Sequence, residues 1–314
     1  MAEAEAQIVA LAKLTILTLV PYVLASQGTM LGGRTGVFNV AQEGIMLIGA
    51  SVGFLGAYLT GNLFYGILLA MLVGGLVGLA LAYFTTTLKM DQFVIGLALF
   101  FFCLGLASLL YKVTIGVTIK PPLIPTLRDV PVLGLSQVPI LGAIFFNQNW
   151  LVYFTILLSA VLYYLLYHTR IGLELRAVGE NPKAADSLGV NTSLMRYVTA
   201  TVGGMLMGLA GAYLPMLYTG TYTHDIVRGR GWLAIALTFF GGWSPHTIFL
   251  GALFFAGVEV LSFRVQVSGG GIPYQFLLML PYVATLLVMM FAFRRARVPA
   301  FLGQNYDREK RTLA

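Results

Sequence analysis

The sequence predicts an all-α protein built as a polytopic bundle of membrane helices. Hydrophobic residues make up 58% of its 314 residues, charged residues make up 10%, and the mean hydropathy is +0.86. A soluble domain of this length could not keep so little charge on its surface. The apolar residues also occur in runs of about 20, the length that a helix needs to cross a bilayer. Lipid is therefore the main solvent of this chain.

Nine apolar segments suit a crossing, and we expect about nine spanning helices, with eight to ten as the range. They are residues 8–30, 44–61, 63–87, 92–112, 149–168, 197–217, 231–243, 247–263 and 274–293. Residues 113–148 carry several prolines and predict an irregular external loop between the fourth and fifth segments. The chain is thus expected to form a single transmembrane domain over residues 1–314.

Basic residues predict which connections face the cytoplasm. Arg34, Lys89 and the segment 169–197 fall in connections that alternate consistently to one side, and so does the basic tail. The tail residues are Arg294, Arg295, Arg297, Arg308, Lys310 and Arg311. The C-terminus is then cytoplasmic and the N-terminus lies outside, although an extra or missing crossing near residues 14–44 could reverse that end.

Small residues recur at four-residue spacing in three of the apolar segments. The three ladders are Gly49/Gly53/Ala57, Gly74/Gly78/Ala82 and Gly204/Gly208/Ala212. This spacing puts the small residues on one face of each helix, where membrane helices can approach closely. The ladders therefore predict tightly packed helix crossings.

Two polar, glycine-rich stretches interrupt the apolar pattern, at residues 27–44 and 219–242. Under the predicted topology, the helix after Arg34 runs outward and the helix after Arg230 runs inward. Opposite directions in two halves of a chain are the geometry of an inverted repeat around a transport pathway. We therefore expect an inverted repeat.

Asn39, Gln42 and Glu43 are the candidate residues of a translocation path. Ionisable groups within a membrane are costly and usually have a function or a partner. Asn39 and Glu43 are four residues apart and could project from one helix face towards a polar cavity, in which case Glu43→Gln should alter transport more than stability. The alternative is that Glu43 pairs with Arg34 or lies at the headgroup level. For Glu259 and Arg264, near the end of residues 247–263, an interfacial location is favoured.

The segment 169–197 is a polar island between two apolar runs. Within it, residues 180–189 predict a short helix, with Asn181 as its cap, Pro182 at its first position and Gly189 as a left-handed stop. So short a helix is not stable alone in water, and it is expected to dock against a partner. Its apolar face would consist of Ala184, Ala185 and Leu188, and Lys183 and Asp186 could pair around that face.

Several kinds of chemistry find no support in the sequence. It contains no G-x-x-x-x-G-K-[ST] phosphate loop, no His-Glu-x-x-His motif and no Gly-x-Ser-x-Gly motif. Three histidines and one cysteine exclude a disulfide framework and disfavour a metal site. The basic residues are scattered along loop ends, which argues against nucleic acid as a partner. No catalytic constellation can be assembled, and no cofactor is expected.

Four elements of the sequence stand out: residues 33–50, residues 174–185, residues 229–236 together with 240–245, and residues 302–309. They resemble the inner-membrane permeases of ABC importers in the branched-chain amino-acid and simple-sugar superfamily, and most closely its nucleoside branch. Residues 33–50 resemble the opening of that branch, with a GVFN element followed by Glu43-Gly44. Residues 174–185 resemble its cytoplasmic coupling segment, residues 229–236 and 240–245 its second-half elements, and residues 302–309 its common tail. One departure is Gly242-Trp243, where an Arg-Trp or Lys-Trp pair is often found, so the resemblance does not say whether this turn contacts the ATPase.

The resemblance implies a type II ABC importer permease in the bacterial inner membrane, which binds no nucleotide itself. It also implies a separate cytoplasmic ABC ATPase, a second and related permease chain, and an extracytoplasmic binding protein that delivers a nucleoside. ATPase contacts would then be made by Glu180, Asn181, Pro182, Lys183, Ala184, Ala185, Asp186, Leu188 and Gly189. A sugar or riboflavin permease is the near alternative. An ion-coupled secondary transporter, or less favourably a membrane enzyme, is the alternative from another class.

Overall fold

The computed structural model describes residues 2–116, 120–131, 134, 136, 140–267, 273–292 and 298–307. Its helices are α1 (Ala2–Gly33), α2 (Gln42–Thr60), α3 (Leu63–Ala82), α4 (Gln92–Ile115), α5 (Leu141–Phe145), α6 (Trp150–His168), α7 (Arg170–Glu180), α8 (Pro182–Ser187), α9 (Thr192–Leu214), α10 (Arg230–Phe240), α11 (Pro245–Val267) and α12 (Tyr274–Ala292). Short π-helical turns, Tyr83–Thr87 and Pro215–Thr219, extend α3 and α9. The predicted helical membrane bundle is confirmed.

Seven helices in the described part of the chain are long and apolar enough to span a membrane: α1, α2, α3, α4, α6, α9 and α11. All nine predicted segments are helical, but two of them fall short of a full span. The 11 residues of α10 measure about 16 Å, half of the roughly 30 Å of a hydrocarbon core. The apolar part of α12, Gln275–Val288, is also short. The number of nine crossings therefore stays a prediction.

Polar side chains at the helix starts explain where many of the elements begin. A side-chain oxygen of the residue before the helix accepts a hydrogen bond from a free backbone N–H of the first turn, which would otherwise be buried without a partner. The capping residues are Asn62 for α3, Asp91 for α4, Asn149 for α6, Thr169 for α7, Asn181 for α8 and Asn191 for α9.

The core of the bundle is the crossing of α2, α3 and α9, where the three predicted ladders of small residues meet. A methyl group added to Gly74 would lie 2.3 Å from the carbonyl oxygen of Gly204, and one added to Gly49 would lie 2.4 Å from that of Gly208. These helices therefore touch backbone to backbone, as the spacing predicts. Helix α1 crosses the same helix α9 at Gly28, where an added methyl group would lie 2.5 Å from the oxygen of Gly203.

The connection between α4 and α6 is more regular than the prolines predict. Strand β1 (Asp129–Pro131) pairs antiparallel with β2 (Asn147–Asn149), so that Asp129 is opposite Asn149, and α5 lies between the two strands. The prediction of an irregular loop over residues 113–148 is wrong for these parts. Pro139 and residues 117–119 lie outside the described residues.

Charged residues gather at two opposite ends of the bundle. At one end, Arg34 contacts Trp243 and Lys89 contacts Asp307. At the other, Lys13 pairs with Asp129 at 2.6 Å. Arg34, Lys89 and the segment 169–197 thus share one end, which agrees with the predicted alternation. The predicted basic tail residues Arg294, Arg295, Arg297, Arg308, Lys310 and Arg311 lie outside the described residues.

Candidate functional site

Glu43 binds the first turn of α10. Its Oε1 accepts a hydrogen bond from the N–H of Gly229 at 2.8 Å, and its Oε2 accepts one from the N–H of Gly231 at 2.6 Å. A helix start carries free N–H groups and a partial positive charge, so a carboxylate is the favoured partner there. Position 231 must be glycine, because a methyl group there would lie 2.6 Å from Cα of Glu43. The alternative that Glu43 pairs with Arg34 is wrong.

Helix α2 begins inside the bundle rather than at its end. The residues between α1 and α2 are not α-helical, and a methyl group on Gly44 would lie 2.8 Å from the carbonyl oxygen of Phe100. Phe100 is eight residues into α4, which corresponds to about 12 Å along that helix. The break in the first half is therefore at residues 34–41, and residues 27–33 belong to α1.

Helices α2 and α10 start at this common point and run in opposite directions. Helix α10 leads to Trp243, whose carbonyl oxygen accepts a hydrogen bond from Nε of Arg34 at 2.9 Å. Helix α2 leads away from Arg34 to Thr60. Two helices that start from breaks within the bundle and point to opposite ends are the arrangement that the inverted repeat predicts.

Asn39 and Gln42 are engaged within the bundle. Asn39 is 4% exposed, and its Oδ1 accepts a hydrogen bond from the N–H of Ala41 at 2.9 Å, which shapes the turn before α2. Gln42 is fully buried and its Oε1 accepts a hydrogen bond from Thr29 of α1, whereas its Nε2 is buried without a hydrogen-bond partner. The three candidate path residues therefore cluster at the junction, but they point in different directions.

Glu259 is buried within the bundle, whereas the sequence favoured an interfacial location. Arg230, at the start of α10, forms a salt bridge with Glu259, and both residues are 7% exposed. The hydroxyl of Tyr22 donates a second hydrogen bond to Glu259, at 2.8 Å. Arg264 is half-buried and donates to Gln7 at 2.6 Å. In the sequence, this cluster is indicated by the carboxylate of Glu259 within an apolar segment. Its partner, Arg230, lies 29 residues away in the chain.

The predicted short helix of residues 180–189 forms as α8. Asn181 accepts a hydrogen bond from the N–H of Ala184 at 3.0 Å, Pro182 is the first residue, and Gly189 has a φ of +85°. Leu188 is 86% exposed and Ala184 is exposed, so both are available to a partner. Ala185 is 2% exposed, and its place on the predicted docking face is wrong.

Asp186 forms a hydrogen bond with the C-terminal part of the chain. The sequence had suggested that it pairs with Lys183 around an apolar face. Its Oδ2 accepts a hydrogen bond from the hydroxyl of Tyr306 at 3.0 Å. Glu180, at the end of α7, likewise accepts one from the N–H of Ala300 at 3.4 Å. Lys183 is exposed. The α8 region is therefore held from one side by the tail and open on the other.

Residues 298–307, which we call the tail strap, connect three turns at this end. The N–H of Phe301 donates to the carbonyl of Gly179 at 2.9 Å, and that of Gly303 donates to Gly36 at 3.1 Å. Asn305 donates to the carbonyls of Lys89 and Met90 at 2.7 and 2.8 Å. The strap thus joins the α7–α8 connection to the α1–α2 and α3–α4 turns. In the sequence, these residues are indicated by the resemblance of residues 302–309 to the common tail of the family.

Two arginines, Arg196 buried and Arg34 half-buried, tie the same turns together. Arg196 is 2% exposed, and it donates to the carbonyls of Thr35 at 3.1 Å and Gln304 at 3.2 Å. Arg34 donates to Trp243 and, at 3.2 Å, to the hydroxyl of Tyr167. Burial lowers the pKa of the Arg34 guanidinium. Trp243 is fully buried against Gly33, so the turn at Gly242-Trp243 packs into its own bundle.

Arg196→Lys is expected to destabilise the protein by about 2–3 kcal/mol, because an ammonium cannot reproduce two hydrogen bonds from a planar guanidinium. The measurement is the thermal unfolding of the purified protein in detergent. Arg170→Lys is the matched control: its side chain is 91% exposed and pairs with Glu174 on the surface, so a change below about 0.5 kcal/mol is expected. Equal effects of the two substitutions would contradict the role given to Arg196.

A multi-pass helical bundle with two opposed helix starts at its centre is the architecture of a membrane transport permease. Residues 11–293 match the family described as "Branched-chain amino acid transport system / permease component". The chain belongs to this family, and it is a permease subunit of an ABC importer, a multi-pass protein of the plasma membrane.

Relatives of known name cover nearly the whole chain. The guanosine ABC transporter permease protein NupQ of Bacillus subtilis is 32% identical over 95% of this chain and 96% of its own. The nucleoside ABC transporter permease protein NupC of Lactococcus lactis subsp. cremoris is 33% identical over 92% and 94%. The ABC transporter permease protein TsgC13 of Haloferax volcanii, provisionally named for glucose, is 31% identical over 91% and 94%.

The fold also resembles a solved structure of an ABC transporter in an inward-facing conformation. The TM-score is 0.52, with 20% sequence identity over 90% of this chain and 85% of that chain. At this identity the likeness supports the fold alone, and it agrees with the helical permease architecture described above.

Proposed function

We propose that this permease subunit imports nucleosides, driven by ATP hydrolysis in a separate cytoplasmic ABC ATPase. The observation that carries the proposal is the similarity, over more than nine-tenths of the chain, to two permeases named for guanosine and for nucleosides. The missing phosphate loop supports a separate ATPase, because phosphate cradling needs a glycine-rich loop at a helix start. The remaining parts of the machine are a second, related permease chain and an extracytoplasmic binding protein.

The ATPase contacts the end of the bundle that carries α8, which is the cytoplasmic end in this proposal, together with the C-terminus. The open side of the α8 region offers Ala184 and Leu188 as apolar contacts and Lys183 as a charged rim. Glu180, Asn181, Pro182, Asp186 and Gly189 shape the segment, and Ala185 anchors it from within. The opposite end, with the β1–β2 pair, is the landing area for the binding protein.

The tail strap carries movement of α8 into the bundle. Its hydrogen bonds to Gly179, Gly36 and Lys89 connect the docking region to the turns before α2 and α4. A shift of the α1–α2 turn moves the start of α2 and, through Glu43, the start of α10. ATP energy can favour the inward or the outward state only through contacts that differ between them, and the junction of α2 and α10 is where we place those contacts.

The test is uptake into proteoliposomes that contain the permeases and the ATPase, supplied with binding protein. We expect ATP-dependent uptake of labelled uridine that unlabelled guanosine and adenosine reduce and ribose does not. ATP hydrolysis by the isolated chain, or uptake that persists without the ATPase, would contradict the proposal. Uptake that stops when the proton gradient is collapsed at constant ATP would instead support an ion-coupled transporter.

A sugar is the second candidate substrate, because the relative TsgC13 is provisionally named for glucose and covers 91% of this chain. The same proteoliposomes distinguish the two substrates. Competition by glucose or ribose, with none by nucleosides, would show that the same ATP-driven importer carries a sugar instead of a nucleoside.

Leu188→Glu is expected to weaken ATPase binding and uncouple transport. A carboxylate buried without a partner at a protein interface costs several kcal/mol, which corresponds to at least about a hundredfold in affinity. The fold should survive, because Leu188 is 86% exposed. The measurements are co-purification of the ATPase and ATP-driven uptake.

Leu123→Glu is the matched control for Leu188→Glu. Leu123 is 73% exposed and lies in the loop at the opposite end of the bundle, so this variant should bind the ATPase normally. If Leu188→Glu also binds the ATPase and transports like the unmodified protein, α8 is not the docking surface.

A further inference from the structure

A cavity of about 410 Å³ lies beside the start of α10, between α1, α10, α11 and α12. Its volume is within the roughly 300–1,000 Å³ of small-molecule sites. The charged side chains and tyrosines that line it are Tyr22, Asp225, Arg228, Arg230, Glu259 and Tyr282. None of these residues was a candidate of the translocation path predicted from the sequence.

The cavity is at membrane depth. Glu259 is 14 residues after the start of α11 and Tyr22 is 11 residues before the end of α1, which places them about 21 and 17 Å from the end of the bundle that carries Arg34. Charged residues at such depth normally face a polar cavity or a functional partner. The cavity therefore extends from the start of α10 towards the end of the bundle opposite Arg34.

The charges around the cavity cancel. Asp225 and Glu259 bring two negative charges to the lining, and Arg228 and Arg230 bring two positive charges. Arg230 forms a salt bridge with Glu259. Such a lining does not favour an ion of either sign. It offers fixed donors and acceptors to a neutral solute, and Leu233, Leu277 and Phe263 add apolar surface.

Glu259 has the acceptor capacity for ligand hydroxyls. An ionised carboxylate accepts about four hydrogen bonds, and Tyr22 and Arg230 each donate one to it. The carboxylate is thereby oriented with both oxygens fixed. Hydroxyl groups of a ligand, which are donors and acceptors at once, match both Glu259 and the guanidinium groups beside it.

We propose that this cavity is a binding site of the permease for the sugar hydroxyls of a nucleoside in transit, with Glu259, Tyr22 and Asp225 as contact residues. The inference rests on the proposed nucleoside import and adds the site and the part of the substrate that it recognises. Nucleosides are neutral, carry adjacent ribose hydroxyls and present a flat base for apolar contact. These properties correspond to the cancelled charges, the oriented carboxylate and the apolar wall.

The experiment compares two substrates in the reconstituted complex: uridine, and its dideoxy analogue that lacks both hydroxyls of the ribose ring. We expect Tyr22→Phe, Asp225→Asn and Glu259→Gln to lower kcat/KM of uptake for uridine about tenfold, and that of the analogue less than about threefold. The binding protein is the same in each assay, so the change in the ratio reports the permease.

Thr238→Val is the matched control. Thr238 is fully buried in α10 and donates to the carbonyl of Ser26 at 3.1 Å, away from the cavity lining. It should affect both substrates equally. Glu259→Gln leaves Arg230 without its carboxylate and could misfold, whereas Tyr22→Phe is conservative and Asp225 is exposed, so these two variants keep the test decisive.

Equal losses for uridine and the analogue in Tyr22→Phe and Asp225→Asn would overturn the inference, because a role in holding α10 against α11 affects every substrate alike. Such a result would leave nucleoside import itself intact. If the unmodified complex shows no ATP-dependent uptake of uridine, the proposed function fails first, and this inference fails with it.

Discussion

Glu43→Gln is expected to destabilise the bundle by about 3 kcal/mol and to lower transport at least about a hundredfold. Both carboxylate oxygens accept a hydrogen bond from the first turn of α10. Glutamine keeps one acceptor, turns an NH₂ group against a backbone N–H, and removes the negative charge that favours a helix start. Thermal unfolding in detergent and ATP-driven uptake in proteoliposomes measure the two effects.

This expectation differs from that of the sequence, which predicted a larger effect of Glu43→Gln on transport than on stability. The contacts give Glu43 a structural role at the start of α10, in addition to the path role that the sequence predicts. Glu174→Gln is the matched control, because Glu174 pairs with an exposed Arg170 and its loss should cost below about 1 kcal/mol. A Glu43→Gln protein that unfolds at the normal temperature and transports normally would show that the α2–α10 junction does not depend on this carboxylate.

Gly204→Ala is expected to cost about 3 kcal/mol, through the crossing of α3 and α9. The added methyl group would lie 2.2 Å from the carbonyl oxygen of Gly74. That atom belongs to the backbone and cannot rotate away, so the two helices must separate and lose contacts along their length. The measurement is again thermal unfolding, supported by hydrogen exchange of α3 and α9.

Gly105→Ala is the control for this substitution and should have the opposite sign. Gly105 is also inside a helix, α4, but nothing lies within 4 Å of an added methyl group. Replacing an unconstrained helical glycine by alanine stabilises by roughly 0.5–1 kcal/mol. If both alanine variants are equally stable, the small-residue ladders do not hold the bundle together.

The helices and the α8 segment could be predicted because their causes are local. Apolar runs, asparagine caps, Pro182 and Gly189 act on residues next to them in sequence. The ladders at Gly74 and Gly204 were also readable, since four-residue spacing defines one face of a helix. The sequence does not predict which ladder packs against which, because the spacing of small residues defines a helix face but not the helix that it contacts.

The residues that were placed wrongly depend on contacts between distant segments. Ala185 sits on a short helix with too few residues to define a buried face by periodicity, and packing decided its burial. Glu259 looked like an interfacial carboxylate because its partner, Arg230, is on another helix. The tail strap forms through backbone groups of Gly36, Gly179 and Lys89, and backbone groups leave no trace in sequence.

From composition and spacing alone, this chain is a bundle of membrane helices with two breaks and one short capped helix at its polar end. Lipid and backbone hydrogen bonding impose that result on any chain with such apolar runs. Tertiary packing decided which groups Glu43 contacts, where the cavity beside Arg230 lies, and how the tail strap is held against the α8 region. Each depends on which surfaces meet, and in a membrane that choice follows from close fit and polar pairing rather than from hydrophobicity, which lipid already satisfies.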